Sequence, residues 1–242
     1  PTDYATYKAK LSQLRDDTQD YVYSLSGQRY PVFFITYQLS HKIKTSDAVA
    51  RAQFDLDRDN EFFGIATPTY ILPTNNDGMG HLSPVGYKLL GAYFGRAFKQ
   101  VVFDKIKPKG IKPISAVKNG TAITVKFNVP QLPLKFDTTN LPPTTNQGFA
   151  VYDSTGANLT LSNVTVSNDT VTLTLAADNT NALTVKYAYD YLANPNSKQL
   201  NANSASGNLV DSTTDSVVIS GTSYPMFYAA PHFTLPVKTL GI

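Results

Sequence analysis

The spacing of apolar residues changes period near the middle of the chain. In residues 1–107 it alternates between helix-like and strand-like stretches. Tyr4, Tyr7, Leu11, Leu14, Tyr21, Val22 and Leu25 recur at roughly helical spacing and predict a first helix over residues 3–25. PVFFIT (31–36) and FFGIAT (62–67) are short continuous apolar runs, which fit buried parallel strands. Between them Ser46–Asp47 caps a second helix whose apolar face is Ala48, Val49, Ala52 and Leu56. After the turn-rich TPTYILPTNNDGMGHL, Ser83 as N-cap and Pro84 at the first helical position open a third helix, carrying Val85, Leu89, Leu90, Tyr93, Phe94 and Phe98. Gly91 and Gly95 weaken this helix, but their spacing would let another element approach closely.

Residues 108–242 alternate with period two. ITVKFNV (123–129), LTLSNVTV (159–166), VTLTL (171–175) and LTVKYAY (183–189) are strands, separated by turn signals such as Asn119–Gly120 and Asn168–Asp169. Strands repeating every 8–12 residues or so fit an all-β sandwich. The segment Lys105–Pro113 (KIKPKGIKP) has linker chemistry, which places a domain boundary at 107/108. The first half offers three helices but two strands, a poor independent core. The reading favoured here is that the rest of its sheet comes from other polypeptide; a miscounted strand is the alternative.

Composition narrows the chemistry. Charged residues are only 16%, which argues against disorder. No apolar run approaches the length of a membrane-spanning helix, so no membrane is expected as partner. A net charge of +3 with scattered Lys and Arg predicts no nucleic-acid partner. Zero Cys excludes disulfides, thiolate zinc sites and a cysteine nucleophile, and three His leave little for a multi-histidine metal centre. The first ten residues, PTDYATYKAK, show no apolar leader. The four N-x-T sequons (Asn119, Asn158, Asn163, Asn168) lie in a Thr/Asn-rich stretch and read as composition.

The sharpest chemical cluster is NNDGMGHLSPVGY (75–87). His81 falls just before a helix N-terminus, whose partial positive charge disfavours imidazolium and so suits a general base. Asp77, four residues earlier, could orient the ring. The plainer alternative is a loop histidine bonded to a turn. Ser40–His41 is a weaker pair, since strand neighbours point to opposite faces and a polar strand end explains it. Tyr37 and Gln38 close the first strand, where a site wall and substrate contact would lie. In the β half Gly207–Ser212 (GNLVDS) fits a turn with Asp211 bonded to backbone. No Trp is present to stack on sugars, though 15 Tyr and 13 Phe remain.

Asp77, Gly78, His81, Leu82, Gly86 and Tyr87, in that order, resemble the last sequence block of the SGNH (GDSL-type) hydrolases. FFITYQLS (33–40), ARAQFDL (50–56) and ATPTYILP (66–73) look like further stretches of that family, and the likeness covers roughly residues 1–105. It is strongest to versions in phage tailspikes and related bacterial proteins acting on surface polysaccharide. GNLVDS, and the run NGTAITVKF, PLKFDT, GFAVYD, resemble their accessory domains. The resemblance implies a partial SGNH-type α/β domain with a flavodoxin-like parallel sheet over 1–107, then a β-sandwich domain over 108–242.

Two departures qualify it. The family sets Asp three residues before His, whereas Asp77 is four before His81. The extra residue bulges out, another group orients the ring, or the site has decayed. The family's G-D-S nucleophile and G-x-N-D motifs do not occur in these 242 residues and would lie upstream of Pro1. The implied activity is O-deacetylation of a capsular or O-antigen polysaccharide without cofactor. His81 and Asp77 would be catalytic, and Gln38 and Tyr37 would contact substrate. Its partners would be that polysaccharide and the N-terminal part of the same protein, in a homotrimer by analogy, on a virion tail or outside a cell. The alternatives are a non-catalytic glycan-binding module of a tail fibre and a secreted bacterial esterase.

Overall fold

The fold is that of a computed structural model, which describes residues 3–75, 80–189 and 206–239. The three expected helices form. α1 (Tyr4–Ser26) is capped by Asp3, whose carboxylate accepts from Thr6 N–H, and ends at Gly27 with φ 68°. α2 is Ala48–Asp59 and α3 is Pro84–Val102, where Ser83 Oγ accepts from Gly86 N–H at 3.1 Å. The two apolar runs become β1 (Phe34–Gln38) and β2 (Phe63–Pro68), paired in parallel with Ile35 opposite Gly64. α2 crosses between them, as a parallel pair requires.

α1 turns an unexpected face inward. Its one buried residue is Arg15, which donates to Val32 O at 3.0 Å and lies over the Phe62 ring. Leu14, Tyr21 and Leu25, part of the apolar spacing that predicts the helix, are more than half exposed.

The second half comprises β3 (Lys112–Asn119), β4 (Ala122–Asn128), β5 (Lys135–Phe136), β6 (Phe149–Asp153), β7 (Asn158–Leu159), β8 (Leu161–Ser167), β9 (Thr170–Leu175), β10 (Leu183–Tyr187), β11 (Leu209–Val210), β12 (Ser216–Ile219), β13 (Thr222–Pro225) and β14 (Phe233–Thr239). Eight of them form one sheet in the order β7-β6-β10-β14-β3-β4-β9-β8, antiparallel except where β14 lies parallel to β3. β5–β11 and β12–β13 are separate two-stranded ribbons. The result is a mixed α/β molecule dominated by a large, mostly antiparallel sheet.

This corrects the expected architecture in two respects. Among the described residues no second large sheet packs on the first to make a sandwich, and no flavodoxin-like parallel sheet extends beyond β1–β2. The physical reason lies in what covers the eight-stranded sheet. Its inward residues, among them Val125, Phe127, Val151, Leu173, Val185 and Phe233, share one apolar core with Phe54 of α2, Tyr70 after β2, and Leu209, Phe227 and Ala230. Phe233 is the centre, with the Phe127, Phe149, Tyr187 and Phe54 rings 5.6–6.5 Å away. Helices and irregular chain do the work expected of a second sheet.

The Lys105–Pro113 segment is built in rather than slack. Pro108 is buried against Gly64, where an added Cβ would meet its ring at 2.6 Å. Lys107 and Lys112 both reach Asp57 of α2, at 3.9 and 2.9 Å. Burial and the neighbouring Lys112 lower the Lys107 pKa, and Asp57 opposes that.

Hydrogen bonds reinforce the shared core. The Gln38 amide nitrogen donates to Ala50 O at 3.0 Å and to His232 O at 2.8 Å, and its oxygen accepts from His232 N–H at 2.7 Å. Tyr70 Oη donates to Ala230 O at 2.7 Å and lies 3.4 Å from Tyr187 Oη, which accepts from Leu209 N–H at 2.8 Å. Burial raises both phenol pKa values. Gly207 passes so close to Tyr187 that an added Cβ would lie 2.2 Å from the hydroxyl. As expected, Asp211 holds backbone: its carboxylate accepts from Tyr228 N–H at 2.9 Å and Thr213 N–H at 3.2 Å.

Two outcomes follow. Replacing Gln38 by Ala leaves two buried backbone groups, the N–H and C=O of His232, without partners, each costing about 1–3 kcal/mol. Urea unfolding is therefore expected to show a loss of at least ~2 kcal/mol. Asp47 is the second case. Burial pushes its carboxyl up, but the His232 ring 3.8 Å away and the charges of Arg51 and Lys186 bring it below the usual aspartate value. With the folded pKa depressed, ionised Asp47 stabilises the fold above about pH 4 and ceases to as pH falls further. The stability gap between the wild type and Asp47→Asn, present at pH 7, is expected to narrow as pH falls below about 4, as denaturant titrations across that range would show.

Candidate active site

The carboxyl ends of β1 and β2 lie together, and a cavity of about 220 Å³ opens there. Its walls come from Tyr37, Leu39, Ser40 and His41 at and after the end of β1, Thr69 and Thr74 after β2, Gly80 to Leu82 ahead of α3, and Tyr87 and Leu90 on α3. This is where open parallel sheets carry their ligands.

His81 stands at the mouth of this cavity, exposed, two residues before the N-cap of α3. Its backbone is held firmly. His81 O accepts from Asn75 N–H at 2.9 Å, Ser83 N–H donates to Pro73 O at 2.9 Å, and Thr74 and Leu82 pair as an antiparallel bridge. Asp77 itself lies outside the described residues, and so does any Asp77–His81 geometry.

Two glycines of the cluster have steric causes. Gly86 packs on Pro73, and an added Cβ would sit 2.2 Å from its carbonyl oxygen. Gly80 has φ +81° and faces the His41 ring, where a Cβ would be 2.7 Å from Nδ1. His41 is thereby seated on the same cavity wall as His81, a juxtaposition that no periodicity signals and that only the glycine before His81 hints at.

The other candidates divide. Tyr37 is 39% exposed and lines the cavity. Gln38 is corrected: it is 0% exposed, and its amide is fully engaged with Ala50 and His232, so it has no free group for a substrate. Adjacent strand residues face opposite sides, so β1 presents Tyr37 and hides Gln38. Ser40 is buried, with Oγ accepting from Tyr70 N–H at 3.0 Å and its own N–H donating to Thr69 Oγ1 at 3.1 Å. That is the role of a polar strand end. Among the described residues no group of three or more His, Cys, Asp or Glu gathers as a metal site.

The expected close approach at Gly91 and Gly95 does not occur: nothing lies within 4 Å of a Cβ at either. They belong to an open face of α3 on which Tyr87, Phe98 and Val102 are also exposed. β1 is open too, since its one partner among the described residues is β2.

No protein-family profile and no curated protein sequence matches the chain. Solved structures similar to it include the following two. The carbohydrate acetylesterase XAC1771 from Xanthomonas citri aligns with a TM-score of 0.57 and 15% identity, over 87% of this chain and 47% of that one. The N-terminal part of the bacterial S-layer protein SbsC covers 97% of this chain and 59% of its own, at 12% identity and a TM-score of 0.26, too low to carry an argument. The likeness to the acetylesterase is one of fold, and the chain spans about half that enzyme's length.

Glycine substitutions separate the packed start of α3 from its open face. Gly86→Ala is expected to destabilise by about 1–3 kcal/mol through overpacking. Gly91→Ala and Gly95→Ala, in open helical positions, are expected to stabilise by about 0.5–1 kcal/mol each. Thermal unfolding of the three variants distinguishes the outcomes.

Proposed function

We propose that this chain is the C-terminal part of an SGNH-type carbohydrate esterase that removes O-acetyl groups from a bacterial capsular or O-antigen polysaccharide. The observation that carries the reading is His81 at the mouth of a cavity formed at the carboxyl ends of β1 and β2. Further support comes from the ordered residues Asp77, Gly78, His81, Leu82, Gly86 and Tyr87, and from the fold shared with a carbohydrate acetylesterase.

In this reading His81 is the general base. It takes the proton of a serine hydroxyl supplied by upstream polypeptide, and the serine oxygen attacks the acetyl carbonyl. The sugar hydroxyl leaves with the proton from His81. Water, deprotonated by the same ring, then releases acetate from the acetyl-serine. Asp77 holds the ring's tautomer. Ser40 is given no catalytic role: it is a buried polar strand end whose Oγ accepts from Tyr70 N–H and holds the backbone after β2. The upstream polypeptide adds parallel strands at the open edge of β1 and covers the apolar face of α3, which completes the sheet. The parent protein is a phage tailspike, trimeric on the virion tail, or an extracellular bacterial enzyme. No cofactor enters the scheme.

A polypeptide extended upstream through a G-D-S segment is expected to release acetate from an O-acetylated capsular polysaccharide, and residues 1–242 alone to release none. His81→Ala in the extended protein is expected to lower kcat by about 10³-fold or more, by analogy with removal of a triad histidine. Acetate release measured enzymatically decides the matter: undiminished release from the His81→Ala protein sinks the reading. Glycan binding with no acetate release, even from the extended protein, marks a non-catalytic receptor-binding module instead.

A further inference from the structure

A second concavity lies at the other end of α3. A polar groove of about 570 Å³ is bounded by Arg96, Lys99 and Gln100 of α3, by Gln131, and by the Ser212–Asp215 loop. Lys109 and Pro130 also line an adjoining hollow of about 400 Å³, which brings in Lys107 and Lys112. The helical rise places Arg96 and Lys99 roughly 14–18 Å along α3 from Tyr87, so the groove is distinct from the His81 cavity.

The charges of this surface do not balance. Five cations (Arg96, Lys99, Lys107, Lys109, Lys112) meet three carboxylates, Asp57, Asp104 and Asp215. Lys99 is paired with Asp104 at 2.7 Å, and Lys107 and Lys112 share Asp57. Lys109 and Arg96 have no carboxylate partner among the described residues. Lys109 is fixed by its backbone, whose N–H donates to Gln100 Oε1 at 3.0 Å, while its side chain is exposed.

Arg96 is preorganised more tightly. Its guanidinium lies 3.7 Å from the Tyr228 ring centroid and 4.9 Å from that of Tyr93. One of its terminal nitrogens donates to Met226 O, and the other is buried with no acceptor among the described residues, a donor left over at the inner wall of the groove. The Tyr228 hydroxyl accepts from Gln100 Nε2 at 2.8 Å and keeps its own proton to donate. A planar, rigid, unneutralised guanidinium beside a lysine is suited to a carboxylate. The walls add Thr214, the Gln131 amide and Asp215, which meet hydroxyl groups well.

We infer that this groove binds a carboxylate-bearing saccharide, of the uronic-acid type, with Arg96 and Lys109 holding the carboxylate and Asp215 accepting sugar hydroxyls. The inference rests on the proposed function for the carbohydrate nature of the ligand, and it names that substrate class as acidic. A nucleic acid fits less well. Its phosphates would meet Asp104 and Asp215, and Tyr228 is too buried to stack on a base.

The test is calorimetric titration of the 242-residue chain, at low salt, with an oligogalacturonate tetramer and with its neutral methyl ester. The acid is expected to bind at least tenfold more tightly than the ester, and more weakly as salt rises. Lys109→Glu, at an exposed side chain, is expected to weaken the acid at least tenfold. Asp215→Asn is expected to weaken it severalfold. Equal affinity for acid and ester, no binding of the acid, or an unchanged Lys109→Glu variant overturns the inference. So does equal displacement by a short DNA strand of matched charge, which would indicate a general anion surface. None of these readouts uses His81 or an upstream serine, so failure of the groove and failure of the esterase reading are separately visible.

Discussion

The fold depends on a buried amide that joins its two grammars. Gln38 closes β1, and its side chain bonds the backbone of α2 at Ala50 and the backbone of His232 just ahead of β14. Because both its oxygen and nitrogen are used in a dry environment, neither half can shift against the other without stranding polar groups. The Tyr70–Ala230 bond and the Phe54–Phe233 contact lie along the same seam. The cavity at the ends of β1 and β2 is therefore fixed from behind by the β half.

Much of this was legible in the sequence where local signals dominate. Ser83 followed by Pro84 placed the start of α3, and period-two alternation placed β4, β8, β9 and β10. What failed were inferences about partners. Lys105–Pro113 has the composition of a linker, but composition does not reveal that Asp57 waits on α2 for two of its lysines. β14 carries Pro236, which argues against a strand in mid-sheet. The strand survives because Pro236 falls where its pairing passes from β10 to β3.

The site was legible in a similar, partial way. His81, Tyr37 and Tyr87 line one opening, and Gly86 packs behind it on Pro73. Gln38 does not, because position in a strand says which face a side chain takes only once the register is known. The seating of His41 on Gly80 depends on a positive backbone angle that no periodicity encodes.

The parallel contact of β14 with β3 sets an order of assembly. The two strands adjoin in the sheet, yet one opens the second half and the other closes it, and Gln38 meets a residue 194 positions later. Such distant pairings carry a large loop-closure entropy and slow folding. During synthesis the sheet stays split at β3, and the β1 end of the cavity stays unanchored, until β14 leaves the ribosome. The residues around the opening are therefore made well before the strand that locks them.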